Sequence, residues 1–207
     1  MRICVLGAGG FVGSRLMEMG CLKPDMDFVP VLRSAKSLGR LSKLGVKAVF
    51  ANTSNAESLA GSLAGFDAVV NLASGDWTSI AEDARIVFEA AEKAGIPLLI
   101  HLSSAVVFGQ VESAAIHDDS PPKLDHWMLY ARAKGEAEVF LRSRMERSAM
   151  KTVVLRPGLI WGPRSNWSAM PAKQLGSGTA WLGGNGDGIC NLCHVDNVVR
   201  YIHRILE

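Results

Sequence analysis

The chain has 207 residues, enough for one domain or for one domain with part of a second. Hydrophobic residues make up 48% and charged residues 20%, so the chain can bury a real core and falls outside the disordered and fibrous classes. A formal net charge of +2, with no long Lys/Arg run, argues against nucleic acid and anionic membrane surfaces as partners.

The N-terminus, MRICVLGAGG, enters a strand-like apolar run directly. It lacks the charged region, apolar core and cleavage site of a signal peptide, so the expected location is the cytoplasm. No stretch approaches the ~18 uninterrupted apolar residues of a membrane span. Strands are expected at 2–6, 28–33, 47–51, 68–73, 98–103 and 152–156, and several of them (ICVL, AVVNLA, LLIHL, TVVL) are near-continuous apolar runs. Such runs suit strands covered on both faces. Helices are expected between them at 11–19, 35–44, 56–63, 79–93 and 127–147, with Asn55 capping the third and Gly95 and Pro97 stopping the fourth. Residues 109–125 read as a polar loop and 163–188 as irregular and glycine-rich. Alternating strands and helices predict an α/β fold with a Rossmann-like, doubly wound parallel sheet. Residues 1–160 would form the dinucleotide-binding domain, and 161–207 a partial, minimal substrate-binding region with the last helix.

The first strand runs into Gly7-Ala8-Gly9-Gly10-Phe11-Val12-Gly13. Glycines allow a backbone to approach a pyrophosphate closely, and the N-terminus of the following helix offers free N–H groups and a positive dipole end. The usual G-x-G-x-x-G spacing from Gly7 fails, because its third glycine would fall at Val12; the spacing that fits is 7, 10 and 13. Arg33 stands where the second strand ends, a position that often holds an acidic ribose ligand. Arginine there, with Ser34, Lys36 and Arg40 close behind, attracts a 2′-phosphate and favours NADP over NAD.

Tyr130 and Lys134 lie four residues apart in the long fifth helix and so share a face. A free tyrosine, with a pKa of ~10, is a poor base near neutrality, and a nearby ammonium favours its phenolate. Such a pair can exchange a proton with a substrate hydroxyl or carbonyl. Ser104 follows the fifth strand, at the sheet edge where open α/β folds bind ligands, and could donate to an oxyanion or to the tyrosine oxygen.

In order, GAGGFVG at Gly7, VVNLAS at Val69, HLSSAVVFG at His101, YARAK at Tyr130, LRPGLIWGP at Leu155 and HVDNVV at His194 span almost the whole chain. On these motifs the chain resembles the extended short-chain dehydrogenase/reductase family of NAD(P)-dependent epimerases, dehydratases and reductases. The resemblance implies that Tyr130 is the acid/base, that Lys134 supports it and holds the nicotinamide ribose, and that Ser104 orients a small-molecule substrate, a nucleotide sugar among the candidates. It further implies that Leu72, Ala73 and Ser74 line the cofactor trough, that Pro157, Gly158 and Ile160 flank the nicotinamide, and that Asn52 and Thr53 lie near the adenine. Two positions depart from the family: Asn52 replaces an acidic residue, and Leu129 replaces the proline that often precedes the tyrosine. Relatives commonly continue well past HVDNVV, so a short natural form, a fragment and a partner-completed pocket all stay open, as does a homodimer. A non-catalytic dinucleotide-binding regulator or interaction module is the alternative function.

Trp77 and Trp161 follow cleft-facing motifs and are candidates for substrate contact, whereas Trp127, Trp167 and Trp181 read as filling. Arg164 could hold a phosphate bidentately, though a plain loop arginine accounts for it as well. His101 reads as a buried strand residue, His126 as a loop residue without a role, and Asp196 with Asn197 as a helix cap. Cys190-x-x-Cys193-His194 has the form of a haem-attachment motif, but without an export signal or a second ligand pair it reads as plain thiols on a late strand; no metal site is expected.

Overall fold

Strand β1 (Arg2–Leu6) is apolar from Ile3 onward because it has a neighbour on each side and helices on each face. A computed structural model describes the chain except residues 34, 36, 37, 52, 54, 111–115, 181–184 and 189 and the side chain of residue 40. Two compact units emerge, Met1–Arg156 and Pro157–Glu207.

In the first unit β1, β2 (Asp27–Leu32), β3 (Val49–Phe50), β4 (Ala68–Asn71), β5 (Leu98–Leu102) and β6 (Lys151–Leu155) form one parallel sheet in the order β3-β2-β1-β4-β5-β6. The order reverses at β1, which puts the crevice of a Rossmann-like α/β fold beside the carboxyl ends of β1 and β4. Helices α1 (Phe11–Gly20), α3 (Ala56–Ser62), α4 (Ile80–Lys93) and α5 (Leu129–Met145) fall where the periodicity predicts them. Asn55 caps α3, its side chain accepting from the Ser58 N–H at 2.9 Å. Gly95, at φ 69°, ends the turn after α4. One sheet face packs Val69, Leu99 and Val154 against Leu59, Phe88 and Leu141 from α3, α4 and α5.

Of the expected helix over 35–44, residues 36 and 37 lie outside the described residues; α2 covers Leu38–Leu41 and passes into a 3-10 turn at Ser42–Leu44, which the left-handed Gly45 closes. Among the described residues, no helix is long and apolar enough to cross a membrane.

The second unit corrects the irregular reading of 163–188. Strand β7 (Leu159–Trp161) pairs in parallel with β8 (Leu192–His194), and α6 (Asn166–Gly176) lies between them in sequence. Ser165 starts α6 by accepting the Trp167 N–H at 3.1 Å. The helix buries no residue and carries Pro171, so neither an apolar period nor a clean composition announced it. Helix α7 (Val195–Leu206) buries Val195, Val198, Val199, Ile202 and Leu206 along one stripe. Its cap is His194, whose Nδ1 accepts the Asp196 N–H at 3.2 Å; Asp196 and Asn197 sit inside the first turn rather than capping it. Cys193 is in β8, while Cys190 is exposed and outside the strand, which is only three residues long.

Candidate active site

β1 delivers the chain into a turn whose glycines are required by the turn's own backbone. Gly7 has φ 78°, and a Cβ on it would lie 2.7 Å from the Leu72 carbonyl carbon. A Cβ on Gly13 would lie 2.2 Å from the Gly7 carbonyl oxygen and 2.7 Å from Ala8 Cα. Val12, where the usual spacing would put glycine, is buried instead. Gly9 and Gly10 complete the turn and Phe11 opens α1. Gly10 is the N-cap and offers no side-chain bond, and no acidic residue stands in the first turn. The first amides of α1 thus keep their donors free of side-chain acceptors and free of competing negative charge, as a pyrophosphate requires.

Leu72, Ala73 and Ser74 leave β4 alongside this turn, with the Leu72 N–H donating to the Leu6 carbonyl at 3.0 Å. Arg33, the first residue past β2, is exposed, and its guanidinium lies 3.4 Å from where a Gly75 Cβ would stand. Thr53 occupies the turn between β3 and α3, while Ser34 and Asn52 lie outside the described residues. Pro157, Gly158 and Ile160 belong to the second unit. There Gly158 admits the Asn191 carbonyl oxygen, which a Cβ would meet at 2.2 Å, and Ile160 pairs with Cys193. Arg164, at φ 75°, helps line a hollow of about 430 Å³ with Trp161, Ser165 and Ser168.

Tyr130 and Lys134 share one face of α5, with the Lys134 ammonium 6.0 Å from the Tyr130 ring centre. The Ser104 and Ser74 hydroxyls lie near enough to the phenol to favour its charged form. Burial raises its pKa above the ordinary tyrosine value, and the two hydroxyls pull it back only in part. A phenolate favoured by the lysine, as the spacing suggested, is therefore not the resting state: Lys134 is buried and donates to the Leu102 carbonyl at 2.7 Å. Burial brings the Lys134 pKa down to about 8 against the pull of Glu138. Ser104 Oγ accepts the Val106 N–H at 3.3 Å at the start of a 3-10 turn, Ala105–Phe108, which frees its hydrogen for another acceptor. Trp77, half exposed, packs against Tyr130 with ring centres 5.6 Å apart. Trp127 is exposed and stacks on His126, whose Nδ1 accepts the Met128 N–H at 3.0 Å, so His126 shapes the approach to α5.

Several residues gain a place that their sequence context did not give them. Ser74 stands beside the tyrosine as well as following Leu72 and Ala73 out of β4. Asn71 and His101 form a buried pair, Asn71 Nδ2 to His101 Nδ1 at 3.2 Å. The signal was present: an amide and an imidazole interrupt two apolar strands at matched positions. The loop before α5 is held through its main chain, with Arg142 donating to the carbonyls of Asp118, Asp119 and Ser120 and Arg156 donating to that of Asp118. Arg156 is itself anchored on the fully buried Glu138 at 2.6 Å.

A sheet that reverses at a glycine turn, with a tyrosine–lysine helix beside it, defines a protein of the Rossmann-like class. The chain belongs to the NAD-dependent epimerase/dehydratase family, whose model matches residues 3–207. Among curated relatives, it is 26% identical to N-acetyl-alpha-D-glucosaminyl-diphospho-ditrans,octacis-undecaprenol 4-epimerase of Escherichia coli O157:H7, over 97% of this chain and 62% of that protein. It is 29% identical to 2-alkyl-3-oxoalkanoate reductase of Shewanella oneidensis, over 96% of this chain and 55% of that one. The chain thus spans less than two thirds of the length of these relatives. Among solved structures, UDP-glucuronic acid 4-epimerase from Bacillus cereus superposes with TM-score 0.83 at 23% identity, over all of this chain and 73% of that one. Vestitone reductase from alfalfa superposes with TM-score 0.80 at 22% identity, over 100% and 73%.

Proposed function

We propose that this chain catalyses oxidoreduction at a secondary alcohol or ketone carbon, as a nicotinamide-dependent reductase, epimerase or dehydratase. The observation that carries the reading is the Tyr130 phenol flanked by two serine hydroxyls, one helical turn from a buried lysine. The names of the relatives, an epimerase of a lipid-linked sugar and a ketone reductase, support the same reaction at carbon.

The turn Gly7–Gly13 and the first amides of α1 would hold the pyrophosphate, Leu72–Ser74 would line the trough, and Arg33 would meet a 2′-phosphate, which favours NADP over NAD. The bound nicotinamide supplies a hydride, or takes one in the reverse direction. Tyr130, kept protonated by burial, donates its proton to the substrate oxygen as the carbonyl carbon is reduced. Ser74 and Ser104 steady the phenolate left behind, and Lys134 adds positive charge one turn away. Ser104, whose oxygen is already bonded by Val106, can turn its hydrogen to that phenolate or to the substrate oxygen.

The test screens nucleotide sugars and small ketones for turnover, following nicotinamide absorbance for net reduction and product stereochemistry by NMR for an internal redox cycle. Tyr130→Phe keeps the ring and its packing but removes the proton, so turnover should fall by roughly 10²–10⁴ with dinucleotide affinity little changed. Full activity in Tyr130→Phe refutes the mechanism. Dinucleotide binding without turnover of any substrate would instead assign a binding role.

A further inference from the structure

The two hydroxyls beside Tyr130 come from different strands: Ser74 follows β4 and Ser104 follows β5. Their separation depends on how the carboxyl ends of those strands are held together. In register Asn71 stands directly opposite His101, and alternation puts both on the helix-covered face that Val69 and Leu99 share. Directly opposed side chains on one face are near enough to bond, and here they do, at 3.2 Å. The Asn71 Oδ1 is already used, because it accepts the Ala73 N–H at 3.2 Å in the turn that leads to Ser74. Its amide nitrogen must therefore be the donor to His101, and His101 Nδ1 must carry a lone pair. The imidazole is then neutral, with its proton on Nε2. Two facts agree: His101 is completely buried, and Lys134 repels further positive charge there, so that its pKa is held down to about 3.

From this geometry we infer that Asn71 and His101 are positioning residues: their bond ties the ends of β4 and β5 together so that Ser74 and Ser104 both reach the Tyr130 oxygen. The inference rests on the reading of Tyr130 as the proton-transfer residue. A shift of about 1 Å at a reacting group can cost ~10²-fold in rate, so a single cross-strand bond is enough to matter.

The chain has two tyrosines, so Tyr201→Phe leaves Tyr130 as the sole source of a Cζ-labelled tyrosine NMR signal. This readout needs neither substrate nor dinucleotide. In that background His101→Leu breaks the bond while leaving Asn71 on Ala73, and Asn71→Ser keeps an acceptor for Ala73 but cannot span to His101. Each should shift the Tyr130 resonance and move its ionisation to higher pH, because the hydroxyls that hold it down are lost. His101→Asn, which places an acceptor where Nδ1 was, should restore both. With a substrate in hand, kcat of His101→Leu should fall ~10–100-fold with dinucleotide affinity unchanged. An unaltered Tyr130 signal in both disrupting variants, whatever their melting temperatures, overturns the proposal. If they do not fold, nitrogen-15 NMR of the natural chain decides: an Nδ1–H tautomer or a charged His101 at neutral pH also overturns it. Full turnover in Tyr130→Phe would refute the acid/base reading, and the resonance would still report on the pair.

Discussion

Replacing Gly13 with alanine would put a methyl carbon 2.2 Å from the Gly7 carbonyl oxygen, with Ala8 Cα at 2.7 Å and the Gly7 carbonyl carbon at 2.8 Å. Every one of these atoms is backbone, so no flexible side chain can move aside. Carbon and oxygen need more than 3 Å, and the loop or the start of α1 must therefore shift by about 1 Å. Overpacking of this kind costs about 1–3 kcal/mol, partly offset by alanine's better helix propensity of up to about 1 kcal/mol. A net loss of about 1–2 kcal/mol lowers Tm by about 2–8 °C in a chain of this size. The distorted turn should also lose at least ~10-fold in dinucleotide affinity, equivalent to about 1.4 kcal/mol. Calorimetry measures both quantities on one sample. The paired control is Gly61→Ala in α3, where a Cβ would meet nothing within 4 Å. That change should raise Tm by about 2–4 °C through helix propensity alone. If Gly13→Ala melts and binds like the natural chain, the steric account of the 7, 10, 13 spacing is wrong.

Three further outcomes are expected. NADPH should bind more tightly than NADH, and Arg33→Asp should reverse that order, measured by titrating both nucleotides against both proteins; equal affinities in the natural chain would remove the basis for assigning Arg33 to the 2′-phosphate. Glu138→Gln should cost about 3–5 kcal/mol in urea denaturation, because it leaves Arg156 charged and nearly buried without its carboxylate; a loss below about 1 kcal/mol would show that the pair is not needed. With the Lys134 pKa at about 8 when folded against 10.5 ordinarily, the unfolded chain holds a proton across that window that the folded chain has released. Stability at this position therefore rises with pH from about 8 to 10.5. Lys134→Met lacks that rise, so its stability relative to the natural chain should decline by up to about 3 kcal/mol over the window, and parallel pH curves would refute the assignment.

The inner sheet strands were legible because parallel strands covered on both faces are nearly apolar along their length, as ICVL, AVVN and LLIHL are. The glycine turn was legible as well, although its spacing made sense only once Gly13 was seen against the Gly7 carbonyl. Helix α6 was hidden for a physical reason: it buries nothing, so burial imposed no period on its sequence. Strands β7 and β8, three residues each, are too short for any period to appear. The pairing of Tyr130 with Lys134 could be read from spacing, but the phenol's protonation could not, since it depends on burial and on two serines brought in from separate strands. Asn71 and His101 carried a signal, polar residues in apolar runs, whose meaning required the register.

The segment before α5 is gripped by Arg142 and Arg156 through main-chain carbonyls alone, at Asp118, Asp119 and Ser120. A carbonyl is common to every amino acid, so this hold is blind to side-chain identity, and the side chains of Asp118 and Asp119 point into solvent. Mutational drift at these positions leaves the attachment intact. The stretch leading to the tyrosine helix can therefore diversify quickly while its path stays fixed, and a library randomised at 118 and 119 should retain folded, active members at high frequency.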